Sequence, residues 1–150
     1  MQNNIEKIKE LMGFTRTLNV LYIEDNEEAR RQTLKMLKNF FANIEVGIDG
    51  VDGLEKFKSY HDTTGLYYDL VISDINMPNM DGITMGKHIV QLHAKQQIII
   101  ISAFNDTKNL EDSTTAGIKH YIHKPIELNA LIDVIGQTTE AIKESTLIEA

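Results

Sequence analysis

Cysteine is absent from the 150 residues, and two further shortages narrow what the chain can be. Without cysteine there are no disulfides, no thiol catalysis and no thiolate metal sites. No apolar run approaches the ~20 residues of a membrane-spanning helix, and the first residues lack a basic segment followed by an apolar one. The net charge of −7 argues against direct binding to nucleic acid, which takes clustered lysine and arginine. These shortages predict one cytoplasmic domain that contacts neither membrane nor nucleic acid.

Proline is also scarce, with two in the whole chain, and the first lies just beyond an apolar run. That run, residues 70–72, is rich in β-branched side chains and does not alternate, which is typical of a strand buried on both faces of a parallel sheet. Pro78 and Gly82 prevent regular structure from continuing and predict a loop. Asp74 therefore stands at the carboxyl end of a central strand, where open α/β sheets place ligands. A lone aspartate there is more often only solubilising, so its role depends on its neighbours.

Short apolar segments alternate with helical patterns along the chain. Five strands are predicted, at residues 20–23, 44–48, 70–72, 98–101 and 119–122. The side chains predicted to face the core from the intervening helices are Leu37, Phe40, Val51, Leu54, Phe57, Met85, Ile89, Leu128, Leu131, Ile132 and Ile135, and residues 59–65 are predicted to be a loop. This alternation predicts an α/β fold, a doubly wound five-stranded parallel sheet of order 2-1-3-4-5 with helices on both faces.

Both ends of the chain carry helical patterns outside the predicted sheet. Residues 1–17 form an amphipathic extension that could pack on the domain, pair with another copy or end a linker helix. Residues 18–145 are the predicted domain and 146–150 a tail. The helix predicted over about 107–116 has almost no apolar residue besides Leu110, which indicates a weakly anchored element.

Acidic residues end two strands that neighbour each other in this order. Glu24 and Asp25 follow the first strand and Asp74 follows the third, so all three converge on one crevice. Two carboxylates ~4 Å apart repel by about 4 kcal/mol at an effective dielectric of 20, so a shared cation is required. Oxygen ligands favour Mg²⁺. Ser102 and Lys124 end the fourth and fifth strands and add a hydroxyl and an ammonium, a set suited to holding a phosphoryl group.

The order of these motifs is similar to that of a known family. Glu24-Asp25, Asp74 with the following Asn-Met-Pro-Asn-Met-Asp-Gly, Ser102-Ala103, and Tyr121-Ile122-His123-Lys124-Pro125 together resemble the response-regulator receiver domain of two-component signalling. The resemblance runs from about residue 18 to 145 and implies a flavodoxin-like fold. It also implies a signalling protein that catalyses only its own phosphoryl transfer and dephosphorylation.

The resemblance implies a role for each acidic residue. Asp74 would be the phosphoacceptor, attacking the phosphohistidine of a sensor histidine kinase or phosphotransfer protein. Asp25, Asp74 and the backbone carbonyl of Asn76 would hold Mg²⁺, with Glu24 acting through water. Lys124 would pair with Asp74 at rest and with a phosphoryl oxygen afterwards.

The resemblance also implies a switch. Ser102 would follow the phosphoryl group and open space for Tyr121 to turn inward. Pro125 would impose the bend that aims Lys124, through a peptide bond that is usually cis in this family. The face built by the fourth helix of the domain, the fifth strand and the last helix would be the surface for an output domain or downstream protein.

Two positions lie where family members tune hydrolysis of the acyl phosphate. They are Asn76, two residues after Asp74, and Phe104, two residues after Ser102. A bulky Phe104 would shield the site from water and give a long-lived phosphorylated form; alternatively, it only caps the core.

Other interpretations remain at this stage. A Mg²⁺-dependent phosphohydrolase would also form an aspartyl phosphate, but such enzymes need a second aspartate where this chain has Asn76. A receiver fold that only docks partners would not need Asp74, Asp25 and Lys124 intact. His120 and His123 are three apart on a strand and so face opposite sides, which disfavours a metal site between them.

Overall fold

The computed structural model describes residues 4–103 and 107–149, which form a five-stranded parallel sheet with helices on both faces. The strands are β1 (Asn19–Ile23), β2 (Asn43–Gly47), β3 (Leu70–Asp74), β4 (Ile98–Ser102) and β5 (His120–His123). The helices are α1 (Asn4–Thr15), α2 (Glu27–Leu37), α3 (Gly50–Thr64), α4 (Gly82–Leu92), α5 (Thr107–Thr115) and α6 (Leu128–Glu149). The sheet order β2-β1-β3-β4-β5 confirms the predicted fold class.

The sheet separates two apolar clusters. Leu37, Phe40 and Leu131 belong to the cluster on one face, and Phe57 and Met85 belong to the cluster on the other. Every residue of β3 and β4 is buried, as expected for strands covered by helices on both faces. In residues 4–103 and 107–149, no helix combines the length and apolarity of a membrane span.

The amphipathic extension is a helix that packs on the domain. The Thr15 hydroxyl is buried and donates to the carbonyl of Phe40, just beyond the end of α2. The ring of Phe14 lies 4.8 Å from Nζ of Lys143 on α6. Because α6 continues to Glu149, the predicted boundary at residue 145 falls inside a helix.

Two predicted core positions are wrong, and one predicted strand end is shifted. Val51 and Leu128 are 39% and 52% exposed. Both lie in the first turn of their helix, which begins after the preceding strand has ended. Ile48, predicted to end the second strand, follows β2 and is 55% exposed. Periodicity gives the buried face of a helix but not where the helix begins relative to the sheet.

The predicted loop at residues 59–65 is also wrong, because α3 continues to Thr64. Gly65 ends it in the left-handed conformation at φ 76°. Stacked rings hold the last turn: Tyr60 lies 4.1 Å from Tyr68, and His61 lies 3.9 Å from Tyr67, measured between ring centroids. Tertiary stacking therefore extends a helix whose local sequence is polar.

The predicted end of α5 is confirmed. Gly117 adopts φ 100°, its N–H donates to the carbonyl of Thr114, and the N–H of Ile118 donates to the carbonyl of Ser113. This pair of bonds is the helix stop that a glycine followed by an apolar residue makes. Ile118 is buried, so the stop also anchors the end of the helix to the core.

Candidate functional site

Three carboxylates meet at the carboxyl edge of the sheet, as predicted. Glu24, Asp25 and Asp74 each place one carboxylate oxygen within 4.8 Å of the others. Measured over the whole residue, Glu24 and Asp74 are only 3% and 7% exposed, whereas Asp25 is exposed. The cluster therefore has a buried floor made of two side chains and an open side lined by the third.

The parallel register of β1 and β3 produces this cluster. Ile23 is paired with Ser73, so the residues that follow them, Glu24 and Asp74, lie side by side. Asp74 is in turn paired with Ile101, which places Ser102 one residue further along β4. Chain positions 50 residues apart thus end at one point because neighbouring parallel strands end together.

Lys124 supplies the ammonium of the site. Its Nζ lies 2.9 Å from Oδ2 of Asp74 and 3.9 Å from Oε1 of Glu24. The second oxygen of Asp74, Oδ1, accepts from the N–H of Ile75 at 2.9 Å. The Lys124–Pro125 peptide bond is cis, which confirms the expectation for this bond.

Lys124 contacts both Asp74 and Glu24, yet the pKa of Glu24 remains raised. Burial, followed by its contact with Asp74, raises the pKa of Glu24 to about 8. Its Oε2 is buried and has no hydrogen-bond partner among the described residues. A buried carboxylate oxygen without a partner is costly, and a divalent cation with its bound waters would satisfy it. The donor set, all oxygen with no thiolate or imidazole, fits Mg²⁺.

The loop that follows Asp74 approaches the strand too closely for most side chains. A Cβ at Gly82 would lie 2.0 Å from the carbonyl oxygen of Asp74 and 2.9 Å from Oγ of Ser73. The N–H of Gly82 donates to the carbonyl of Ile75 at 2.8 Å. Glycine is therefore required here to close the loop over the end of β3.

The same loop is tied to the start of α3. Asn79 has φ 70° and its amide donates to Oδ2 of Asp49, the N-cap of α3, at 2.8 Å. The N–H of Gly50 donates to the carbonyl of Met80 at 3.1 Å. Asn76 is exposed on this loop. The hydrogen bond between Asn79 and Asp49 was not predicted from the sequence, because the two residues are 30 positions apart.

Ser102 ends β4 and is fully buried. Its Oγ lies 3.0 Å from Nδ1 of His123, the residue opposite it on β5. Sequence reasoning selected Ser102 and set His123 aside after considering it only as a metal ligand. The available signal was the position of His123 directly before Lys124, at the end of a strand that neighbours β4.

Tyr121 is held by the end of α5. Its hydroxyl donates to the carbonyl of Ile118, accepts from Oγ of Ser113 at 2.9 Å, and lies 2.7 Å from Oγ1 of Thr114. The ring is half-buried on β5. Any movement of this side chain would therefore break its contacts with α5. Phe104, the predicted shield of the site, lies outside the described residues.

Comparison with known proteins gives concordant matches. The response regulator receiver domain matches residues 20–136. The chemotaxis protein CheY of Bacillus subtilis is 33% identical over 120 residues, which cover 79% of this chain and 95% of that protein. The response regulator ArlR of Staphylococcus aureus is 32% identical over 113 residues, 75% of this chain but 48% of that protein.

A solved structure agrees with the sequence matches. A chain of the CheX–CheY–BeF3–Mg²⁺ complex of Borrelia burgdorferi superposes with a TM-score of 0.72 at 27% sequence identity, covering 81% of this chain and 89% of that one.

Proposed function

This chain belongs to the response regulator receiver domain family, and on that premise we propose that it accepts a phosphoryl group on Asp74 in a two-component phosphorelay. The donor is the phosphohistidine of a sensor histidine kinase or phosphotransfer protein. One observation carries the proposal: Asp74 is buried beside two further carboxylates, with the Lys124 ammonium 2.9 Å from its Oδ2. A structural ion pair would need neither of the additional acids.

The transfer proceeds by in-line displacement at phosphorus. A carboxylate oxygen of Asp74 attacks the phosphorus atom while the bond from phosphorus to the imidazole nitrogen of the donor breaks. The other ring nitrogen of the phosphohistidine carries a proton, so when the electron pair of the broken bond stays on the nitrogen, the donor leaves as a neutral histidine and Asp74 becomes an acyl phosphate. Lys124 leaves Asp74 for a phosphoryl oxygen, because the negative charge has moved outward.

The acidic cluster suits a resident Mg²⁺. Asp25, Asp74 and the backbone carbonyl of Asn76 would bind it directly, and Glu24 would bind it through water. When bound, the ion neutralises charge on the transferring oxygens. The buried oxygen of Glu24 that has no partner among the described residues supports this assignment.

Phosphorylation of Asp74 then acts on Ser102 in β4 and on Tyr121 in β5. The Ser102 hydroxyl donates to a phosphoryl oxygen, and its displacement opens space for Tyr121. When Tyr121 turns inward, its hydroxyl leaves Ser113 and Thr114, and the end of α5 loses these contacts. The α5–β5–α6 face, formed by Thr107–Thr115, His120–His123 and Leu128–Glu149, is the surface whose partner affinity changes.

The partners follow from the switch. The CheX–CheY complex and ArlR are examples in which a related chain occurs with a separate protein or within a longer one. For this chain we propose a kinase or phosphotransfer protein as donor and either an output domain or a downstream protein as receiver of the signal. A cytoplasmic location and a homodimer belong to the same proposal, which includes no direct contact with nucleic acid or membrane.

Acetyl phosphate tests the central step. Incubation with acetyl phosphate and Mg²⁺, followed by intact mass measurement, is expected to add one phosphoryl group to the native chain and none to Asp74→Asn. Turnover of a phosphomonoester at a steady rate would instead support the hydrolase interpretation. An unmodified native chain, after exposure that labels another receiver domain, would support a docking module.

The lifetime of the acyl phosphate tests the two tuning positions. The proposal gives Phe104 the role of limiting access of water, on which Phe104→Ala is expected to shorten the half-life of the labelled chain. Asn76→Asp, which introduces the acid that hydrolases use, is expected to shorten it as well. An unchanged or longer half-life in Phe104→Ala would leave Phe104 as a core residue only.

A further inference from the structure

We infer that His123 is a positioning residue: it holds the Ser102 hydroxyl in its resting place and so opposes the switch. This inference rests on the proposed function, because it assigns a partner to the hydroxyl that moves when Asp74 is phosphorylated. It adds a residue that the chemistry of phosphoryl transfer does not itself require.

Strand register brings the two side chains together. Ser102 is paired with His123 in the parallel ladder of β4 and β5, and Oγ of Ser102 lies 3.0 Å from Nδ1 of His123. Ser102 is fully buried, whereas His123 is exposed. Among the described residues, His123 is the side chain that forms a hydrogen bond with this hydroxyl.

Burial makes this bond important at rest. A buried hydroxyl without a partner costs free energy, and His123 supplies the partner. If Ser102 rotates toward a phosphoryl group on Asp74, its Oγ leaves Nδ1. The bond to His123 is therefore made in the resting state and lost in the active one, so its free energy favours the resting state. A ligand shifts such an equilibrium only by its differential affinity for the two states.

His123 lies on the same side of β5 as Tyr121, the other side chain of the proposed switch. Side chains two apart on a strand share a face, so His123 and Tyr121 lie on the same side. Tyr121 is bound to α5 through Ser113 and Thr114, and Ser102 is bound to His123. The two resting contacts of the switch thus stand on one face of one short strand. Loss of either is expected to favour the active arrangement.

Beryllofluoride, which mimics a phosphoryl group on a carboxylate and is not transferred, gives a direct test. The chain is titrated with it in the presence of Mg²⁺, and binding is followed by calorimetry because the sequence has no tryptophan. His123→Leu is expected to reach half-saturation at an about two- to tenfold lower concentration than the native chain, the range for one hydrogen bond. Equal or weaker binding by His123→Leu overturns the inference.

A conservative variant distinguishes the effect of the hydrogen bond from the effect of side-chain size. The side-chain amide of His123→Asn can reach the position of Nδ1, so we expect this variant to bind beryllofluoride as the native chain does. An Asn variant that behaves like the Leu variant overturns the inference, because size rather than the bond would then matter. His88→Leu is the matched control: it removes an exposed histidine from α4, outside the α5–β5–α6 face, and its affinity is expected to be unchanged.

A double-mutant cycle ties the effect to Ser102. In a Ser102→Ala background the hydroxyl is gone, so adding His123→Leu is expected to change beryllofluoride affinity no further. A persisting effect would show that His123 acts on another group and would overturn the inference. If the native chain shows no saturable binding, the proposed function fails and this inference with it; if it binds and His123→Leu matches it, only this inference fails.

Discussion

The Lys124 ammonium lies 2.9 Å from Oδ2 of Asp74 and 3.9 Å from Oε1 of Glu24, so a single cation contacts both buried carboxylates. The Lys124 side chain is 40% exposed, while those of Asp74 and Glu24 are 10% and 4% exposed. The charge that offsets the buried acids thus enters from the open side of the crevice, where it can move without repacking the core.

Replacement of Lys124 by methionine is expected to tighten Mg²⁺ binding while slowing phosphorylation. The ammonium repels a divalent ion, and unit charges 4 Å apart interact by about 1 kcal/mol even in water, so affinity should rise at least about fivefold. Calorimetric titration with Mg²⁺ measures the affinity, and acetyl phosphate labelling measures the rate. Lys119→Met, on the exposed residue before β5, is the control. Weaker Mg²⁺ binding by Lys124→Met would mean that Lys124 orders the carboxylates rather than competing with the ion.

Because of Glu24, the free energy of unfolding of the metal-free protein is expected to fall as pH rises. The folded chain keeps its proton up to about pH 8, whereas the unfolded chain loses it near 4.5. Between these values the folded state binds more protons, so the free energy of unfolding decreases with pH, by up to about 1.4 kcal/mol per pH unit. Urea denaturation with a chelator from pH 5 to 9 measures this slope.

The variant Glu24→Gln has no proton to lose and is the comparison for that slope. Its free energy of unfolding should fall less with pH than that of the native chain, so that the two curves approach or cross toward pH 9. Titrating groups that do not interact with Glu24 are present in both chains and cancel in the difference. Parallel curves would mean that Glu24 titrates at its ordinary pKa when folded.

Tyr121→Phe is expected to loosen the end of α5. The substitution keeps the ring but removes the hydroxyl that contacts Ser113 and Thr114, at a cost of about 1 kcal/mol. Hydrogen exchange of the amides of Thr107–Thr115 should accelerate more than exchange in α4. Tyr67→Phe is the control, because its hydroxyl reaches the carbonyl of Leu92 only at 3.5 Å. Uniform acceleration across the domain would indicate general destabilisation instead.

Gly82→Ala is expected to destabilise the domain by about 1–3 kcal/mol or more, the cost of forcing an atom into a packed site. The new Cβ would meet the carbonyl oxygen of Asp74 at 2.0 Å, so backbone has to move at the acidic cluster. Gly136→Ala is the matched change, since an added Cβ in the middle of α6 would have no atom within 4 Å among the described residues, apart from the adjacent backbone of the helix itself. It should stabilise by about 0.5–1 kcal/mol. Denaturant unfolding measures both, and similar values for the two would contradict the close approach at Gly82.

Part of the site could be predicted because parallel strands end at a common edge. Asp74 follows a non-alternating apolar run, Glu24 and Asp25 follow another, and Ser102 and Lys124 end the last two. Alternation of strands and helices then requires these ends to meet. No long-range distance was needed for that prediction.

Other parts could not be predicted because they depend on register and on contacts between distant segments. The pairing of Ser102 with His123 requires knowing which residue of β5 lies opposite the end of β4. The last turn of α3 exists where Tyr60 and His61 stack on Tyr68 and Tyr67, although the local sequence predicts a loop. Val51 and Leu128 have apolar helical spacing, yet their first-turn positions leave them exposed.

The sequence by itself determined the sheet, its order and the acidic residues at the strand ends, because apolar runs and turn residues act locally. Only the tertiary structure decided which side chains touch. Examples are the hydrogen bond from Asn79 to Asp49, the contacts of Tyr121 with α5, and the hydrogen bond between Ser102 and His123. The physical reason is that a hydrogen bond depends on distances of a few ångströms, and strand register and loop closure set such distances only once the whole chain has packed.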